Sequence, residues 1–306
     1  MSHISVIIPL YNKVTTIEQT LRSVARQSVQ PLEIIVVDDG STDGSAEVVV
    51  AMDLPQVKVV RQSNHGVSAA RNRAIEMAQG EWIALLDGDD YWLDEYLENV
   101  ERVIEKFPES GAIGTAFVVD DGKRLVLGDT PHKEGVVDFF SESMQRYVLI
   151  PSATVVRRDL ALAMGGFPVG MRMAEDQYLW TKIARIAQIV FSPRPLVVYS
   201  RVAENRSATI YQAEQTTHSL EELYDRSADE ISNEYVARVA LGKALVESAR
   251  GGTAAAQRAL EFFAYNKLSA RLAFKVRVLN ALPAKVRPMV LGMYNWLAWV
   301  VARKGL

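Results

Sequence analysis

Four short apolar runs, at residues 4–9, 33–37, 57–60 and 82–86, alternate with stretches whose apolar residues recur at helical spacing. No other feature constrains the fold as strongly. Strand–helix–strand units of this length close as parallel pairs with right-handed crossovers, so the first ~110 residues are expected to form an α/β layer of the nucleotide-binding type. The fourth run begins Trp82-Ile83-Ala84-Leu85-Leu86, the composition of a buried strand, and ends in Asp87, Asp89 and Asp90. In a parallel α/β sheet ligands gather at the carboxyl ends of strands, so these acids stand where a ligand would. Carboxylates this close repel one another, least so when a hard divalent cation shares their charge. Gly88, between Asp87 and Asp89, is expected to let the backbone turn so that both reach one ligand. Taken alone, the triplet reads first as a solvated acidic turn ahead of the next helix, and the rest of the chain reverses that preference.

The intervening segments fill in the layer. Thr15-Thr16-Ile17-Glu18 has the pattern of a capping box, opening a helix with Ile17, Leu21 and Val24 on one face. The second run finishes in a polar turn, Asp38-Asp39-Gly40-Ser41-Thr42-Asp43, that leads into a helix through Met52. A loop at Asn64-His65-Gly66 precedes a helix over 67–78 bearing Arg71 and Arg73. After the first strand the chain reads Pro9-Leu10-Tyr11-Asn12-Lys13, with neither a glycine-rich phosphate loop nor a dinucleotide fingerprint anywhere. That disfavours a dehydrogenase or an NTPase, and leaves a nucleotide to be held by strand-end side chains and a metal. The chain has no cysteine, which excludes disulfides and thiolate metal sites and fits a reducing compartment; with only four histidines, a metal would take oxygen ligands. The N-terminus lacks a basic start, and its apolar run is too short for a signal peptide, so a cytoplasmic location is expected.

Four segments together resemble the family 2 glycosyltransferases of the GT-A fold: 5–12 (Ser-Val-Ile-Ile-Pro-Leu-Tyr-Asn), 37–43 (Val-Asp-Asp-Gly-Ser-Thr-Asp), 66–72 (Gly-Val-Ser-Ala-Ala-Arg-Asn) and 86–90 (Leu-Asp-Gly-Asp-Asp). The resemblance covers residues 4–95 and implies a GT-A-type, Rossmann-like, mostly parallel sheet flanked by helices. It also implies site roles. Asp39 would accept from the uracil edge, Arg71 would lie against that base as planar donor and stacking surface, and Pro9 and Tyr11 would frame the nucleoside. Asp87 would lie near the ribose and metal, while Asp89 would ligate a Mn²⁺ or Mg²⁺ that neutralises charge on the departing diphosphate.

Farther along, strands are expected over 113–119 and 152–156, with a turn at Asp120-Asp121-Gly122 and a hairpin arm over 124–127. Residues 128–147 give no clear pattern. Met164-Gly165-Gly166-Phe167-Pro168 followed by Glu175-Asp176 is similar to the family's glycine-glycine-phenylalanine loop and its acidic pair. In the family the second acid is the general base, which places that role on Asp176; Gly166, Phe167 and Glu175 would orient the loop or the acceptor. An attacking sugar hydroxyl must lose its proton as the new bond forms, so such a base is required. Two acids at a helix start are also simply favourable to its dipole. The chain departs from many relatives after the strand at 196–199, where no histidine follows; Arg201 or Arg206 could supply positive charge to the phosphates instead.

From about residue 211 the chain reads as successive helices outside the resemblance. Lys267, Arg271, Lys275, Arg277, Lys285, Arg287, Arg303 and Lys304 fall in the last forty residues, which hold no acid, although the net charge is −3. Residues 289–302 are apolar and carry Tyr294, Trp296 and Trp299, but a spanning helix needs roughly 20 residues. The pattern suits a helix lying in an anionic membrane interface, or one packed on its own domain or a second copy.

The sequence therefore predicts a GT-A domain over 1–208 and a helical C-terminal extension over 209–306. Within the GT-A domain, residues 1–110 would bind the nucleotide sugar and residues 111–208 would serve the acceptor and catalysis. The expected activity is metal-dependent, inverting transfer of a hexosyl or N-acetylhexosaminyl group. The donor would be a nucleoside-diphosphate sugar, UDP-sugar favoured, and the acceptor a glycan or lipid-linked sugar, in bacterial surface polysaccharide synthesis. A peripheral site on the inner membrane face through 267–306 and no nucleic-acid partner complete the expectation. The alternatives are a nucleotidyltransferase and a non-catalytic, membrane-associated nucleotide-sugar binder.

Overall fold

The structure is a computed structural model that describes residues 3–202 and 217–293. These fall into two compact units, residues 3–202 with 217–218, and residues 219–293. The expected boundary at 208/209 lies outside the described residues, as do Arg206, Tyr294, Trp296 and Trp299.

The first unit is built on β1 (Ile4–Leu10), buried on both faces as its β-branched run requires. It pairs in parallel with β2 (Glu33–Asp38) on one side and with β4 (Trp82–Leu85) on the other, and β2 pairs in parallel with β3 (Val57–Arg61). The crossovers are α1 (Ile17–Ala25), α2 (Ser45–Ala51) and α3 (Val67–Met77), with Ile17, Leu21 and Val24 of α1 turned into the core as their spacing predicts. Next come β5 (Tyr91–Trp92), α4 (Tyr96–Lys106), β6 (Ser110–Asp120), β7 (Leu125–Leu127), β8 (Gly135–Val137), α5 (Phe139–Ser143), β9 (Thr154–Arg157), α6 (Arg158–Ala163), α7 (Glu175–Ala184) and β10 (Gln188–Ser200). The sheet runs β3-β2-β1-β4-β9-β6-β10-β5, with β7 beside β6 and β8 beside β10.

The α/β class with helices about an open sheet is the one expected, but the parallel arrangement is confined to β3 through β4 and to the β6–β10 pair. β9 lies antiparallel between β4 and β6, and β5, β7 and β8 are antiparallel to their partners. The physical reason is the connection. Between β6 and β9 the chain returns through a hairpin, β8 and the single turn of α5 rather than one crossover helix, so β9 enters reversed. Residues 128–147, unreadable in the sequence, hold β8 and α5.

Two local expectations fail. Thr16 stands at the N-cap of α1 without a side-chain capping bond; its hydroxyl instead donates to the Gly88 carbonyl at 2.8 Å, tying α1 to the acidic loop. Gly88 adopts no left-handed torsion, and a Cβ there would make only ordinary contacts with Lys13, Pro9 and Ile17. The turn after β4 is therefore open to other residues, and Gly88 does not bring the two acids together.

The second unit holds a short 3-10 turn, Leu220–Leu223, and three helices: α8 (Glu230–Arg250), α9 (Thr253–Phe262) and α10 (Ala270–Ala281). Asp229 caps α8 by accepting from the Ser232 N–H, and Gly251 ends it in the left-handed conformation at φ +104°. Val236, Leu241, Leu260, Phe263, Val276 and Leu279 form its interior.

Candidate active site

The carboxyl ends of β1, β2 and β4 converge, and two loops brace one another beneath them. Asn12 is held left-handed at φ +51°. Its amide oxygen accepts from the Thr42 N–H at 2.8 Å, and its own N–H donates to Ser41 Oγ at 3.0 Å. The next two residues continue the lacing: Lys13 N–H donates to Ser45 Oγ at 2.7 Å and Val14 N–H to Asp43 Oδ2 at 2.9 Å. Tyr11, at the top of this floor, is 40% exposed and Pro9 is half-buried.

Asp39, at the end of β2, is buried and already engaged. Its Oδ1 accepts from Gln62 Nε2 at 2.7 Å and the His65 N–H at 2.9 Å, and its Oδ2 accepts from the Gly66 N–H at 2.7 Å. Its charge therefore sits at the N-terminus of α3, where the helix dipole favours it.

Each of the first two acids after β4 has its own cation. Arg71 Nη2 lies 2.7 Å from Asp87 Oδ1, and Lys13 Nζ lies 2.7 Å from Asp89 Oδ2. Burial pushes the Asp89 carboxyl above its ordinary value; Lys13 works against that, and the Asp87 charge adds to it. Asp90 is 1% exposed and belongs to the scaffold. It accepts from the Ser152 hydroxyl and, at 2.8 Å, from the Ser200 N–H, fastening the loop to the end of β10.

Opposite these acids, Gly165 and Gly166 take left-handed torsions of +83° and +68° and turn the chain into Phe167. The Phe167 ring is buried, meets Trp180 of α7 edge-on at 5.8 Å and lies under the Arg71 guanidinium at 5.2 Å. Arg71 also reaches α7 through Nη1, 3.3 Å from Glu175 Oε1. Burial opposes its charge, but Asp87 and Glu175 outweigh burial and raise its pKa. Asp176 accepts from its neighbour Gln177, at 2.9 Å from the N–H and 3.0 Å from the side-chain amide. Burial first, and then the charge of Glu175, push its carboxyl up to about 7 despite Arg71. A carboxyl poised there can take up or give a proton near neutrality.

The structure thus joins Asp87, Glu175 and Phe167 through Arg71, with Gly166 packed against Asn72 and Asp89 two residues beyond Asp87. The Arg71 face expected for a base is turned to Phe167, its two Nη groups go to carboxylates, and its buried Nε has no partner among the described residues. Arg201 is exposed just beyond β10, its N–H bonded to the Asp120 carbonyl at 2.8 Å. Sequence reasoning assigned nothing to Lys13, Asn12 or Asn72, although all three stand in or beside the four motif segments.

The residues present fit a hard divalent ion. Asp87 and Asp89 offer oxygen donors, and the raised Asp89 carboxyl marks a place where added positive charge is favourable. Among the described residues no three acids or histidines converge, so a ligand's phosphate oxygens would have to complete the shell.

The profile described as glycosyl transferase family 2 matches residues 5–163, just over half of the chain. The chain is 37% identical over 126 residues to the putative teichuronic acid biosynthesis glycosyltransferase TuaG of Bacillus subtilis, covering 40% of this chain and 50% of TuaG. Its first bacterial relatives are matched over 26% to 70% of their own length. Among solved structures, Staphylococcus aureus TarS in complex with UDP-GlcNAc superposes with a TM-score of 0.68 at 21% identity, covering 97% of this chain and 92% of that one. The mannosyltransferase PcManGT of Pyrobaculum calidifontis, in complex with GDP-Man and Mn²⁺, gives 0.52 at 21% identity, covering 91% and 86%.

Proposed function

The chain belongs to glycosyl transferase family 2, and from that premise we propose that it moves a hexosyl or N-acetylhexosaminyl group from a UDP-sugar to a glycan or lipid-linked acceptor in building a bacterial surface polysaccharide. One observation carries this reading. Arg71 joins Asp87, at the end of β4, to Glu175, beside Asp176 at the start of α7, so one guanidinium links the donor-side acid to the segment that carries a titratable base.

The chemistry assigned to these groups balances as a single displacement. An acceptor hydroxyl oxygen bonds to the anomeric carbon while Asp176 takes its proton. The bond from that carbon to the diphosphate oxygen breaks, and its electron pair leaves with the nucleoside diphosphate. Attack from the side opposite the leaving group inverts the anomeric centre. Asp87 and Asp89 would hold a Mn²⁺ or Mg²⁺, which supplies Lewis acidity for charge gathering on the diphosphate. Lys13 Nζ, on Asp89, stands ready to share that charge. Asp39 would accept from the base, Pro9 and Tyr11 would frame the nucleoside, and Arg201 or Arg206 would reach the phosphates. UDP is favoured by the fit to TarS, whose complex holds UDP-GlcNAc, over that to PcManGT with GDP-Man. The basic stretch 267–306 would bring the enzyme to an anionic membrane surface.

The test is calorimetric titration of UDP, GDP and dTDP, with and without Mn²⁺, into wild type and Asp89→Ala. UDP should bind best and with Mn²⁺, and should weaken about tenfold or more in the variant, the scale of one lost charge-assisted contact. Binding that ignores both Mn²⁺ and Asp89→Ala would sink the metal assignment; absence of nucleotide binding would sink the donor class. Asp176→Asn should keep UDP affinity and lose about 10²–10⁴-fold in turnover.

A further inference from the structure

We infer that Asn72 is a positioning residue for the base: it clamps the Gly165-Gly166-Phe167 turn onto α3 and thereby fixes where Asp176 stands. The inference rests on the reading above for the role of Asp176; the clamp itself stands on geometry. Asn72 Nδ2 donates to the Phe167 carbonyl at 2.8 Å, and its Oδ1 accepts from the Phe167 N–H at 2.7 Å. A single side-chain amide thus satisfies both main-chain groups of one residue, as a neighbouring strand would.

The approach is too close for any side chain at the preceding position. A Cβ on Gly166 would lie 2.4 Å from Asn72 Oδ1, and φ +68° already suits glycine. From Phe167 the contact passes to α7, because the ring rests edge-on against Trp180 while Arg71, the residue before Asn72, covers it and reaches Glu175. Two adjacent residues of α3 therefore grip the base-bearing segment, Arg71 by charge and Asn72 by the main chain. Arg71 also pairs with a donor-side acid, whereas the Asn72 side chain is engaged with the Phe167 main chain.

Such a grip answers a need visible at the other end of the segment. Ala174 launches α7 from the left-handed region at φ +67°, a torsion a non-glycine residue keeps only where its surroundings over-determine it. The clamp anchors the loop at Phe167 and leaves residues 168–173 to deliver that launch.

The experiment compares wild type with Asn72→Ala, Asn72→Asp, Gly166→Ala and the double variant Asn72→Ala/Gly166→Ala. It reads amide exchange by mass spectrometry, UDP affinity with Mn²⁺ by calorimetry, and turnover as UDP release from whichever UDP-sugar wild type consumes. Asn72→Asp keeps the shape but loses the donor to the Phe167 carbonyl. Gly166→Ala drives the amide off by sterics and adds the backbone strain of a left-handed alanine. In Asn72→Ala and Gly166→Ala, exchange across 164–176 should quicken about ten- to thirtyfold, the equivalent of two neutral hydrogen bonds, and in Asn72→Asp about fivefold, for the one bond lost. Peptides of β1 to β4 should keep their wild-type exchange, UDP affinity should stay within about threefold, and kcat should fall about thirtyfold with donor KM unchanged. The double variant should be no worse than about threefold beyond the poorer single one, because both changes break the same contact.

Exchange across 164–176 that stays at the wild-type rate in Asn72→Ala and Gly166→Ala overturns the clamp. So does a loss of UDP affinity that parallels the loss of kcat, or a kcat unaffected by all three. If wild type binds UDP and loosens as described on Asn72→Ala but releases UDP from no UDP-sugar, the transferase reading has failed and the clamp has not. The two failures are thereby distinct.

Discussion

At Asp176 the demands of folding and of proton transfer oppose each other. Burial and Glu175 hold its carboxyl up to about 7, against an ordinary value of 3.8, so the folded state binds a proton that the unfolded chain has already lost. The resulting stabilisation is fully present below pH 3.8 and is lost as pH rises through about 7. A base must be in its carboxylate form, so kcat/KM should climb through a limb near pH 7, with slope one on a logarithmic plot. Asp176→Asn should remove this limb from the residual activity. It should also melt at a higher temperature than wild type at pH 8 and show less of this advantage at pH 5, because the amide has no charge to desolvate. Melting curves for both proteins across pH 5–8 check the sign; a gap that narrows toward pH 8 contradicts it. Two residues earlier, Ala174→Gly should relieve the left-handed torsion and stabilise the fold by up to about 1 kcal/mol, offset by the greater freedom of glycine when unfolded. Urea titration measures it. At this scale the places of the acids were legible, because Asp39, Asp87, Asp89 and Asp176 sit at strand ends or a helix start, while the roles expected of them came from the family resemblance. Lys13 and Asn72 were not. Their partners lie 76 and 95 residues away, and nothing local marks a side chain that acts on a distant acid or main chain.

Among the elements, the parallel half of the sheet could be read from the chain because each strand is an unbroken apolar run separated by an amphipathic helix. The mixed half could not. β8 has three residues and α5 five, too few for any periodicity to show, and β9 takes its direction from the path of the connection rather than from its own residues. The capping box at Thr15–Glu18 failed for a related reason: Thr16 had a tertiary acceptor, the Gly88 carbonyl, and a bond there outweighed one within its own helix. Tertiary approach also explains Gly114 in the middle of β6. A Cβ there would stand 2.1 Å from the Val148 carbonyl oxygen, main chain that cannot rotate aside, and 3.0 Å from a side-chain methyl of Leu149. Gly114→Ala should therefore cost at least about 1–3 kcal/mol, as overpacking of a close-packed interior does. The midpoint of urea unfolding should fall with an unchanged slope; an unchanged midpoint would mean that residues 148–149 give way easily.

For the whole molecule, charge is the property that no single element explains. The net charge is −3, while the last forty residues carry eight Lys and Arg and no acid, which leaves the remainder at −11. Such a separation strengthens attraction of one end to a negative surface while the rest is repelled, a condition for peripheral rather than engulfed binding. Within the described residues α10 shows the form this takes. Ala273, Val276 and Leu279 face the interior of the helical unit, while Arg271, Phe274, Arg277 and Val278 face outward, Phe274 at 65% exposure, with Leu268 and Tyr265 exposed just ahead. Apolar side chains interleaved with cations are what an anionic lipid interface accepts, because the rings enter the headgroup layer and the charges remain above it. Among the described residues no helix is long and apolar enough to cross a membrane. The full chain should therefore sediment with vesicles containing anionic phosphatidylglycerol and not with phosphatidylcholine alone. Arg271→Glu/Arg277→Glu should weaken that binding about thirtyfold or more, at ~1 kcal/mol for each cation removed, and Phe274→Ser should weaken it further without changing its salt dependence. Binding to both vesicle types alike, or binding that survives the charge reversal, would show that the acid-free tail serves some other contact, and concentration-dependent dimerisation abolished by Phe274→Ser would identify that contact as a second copy of the chain.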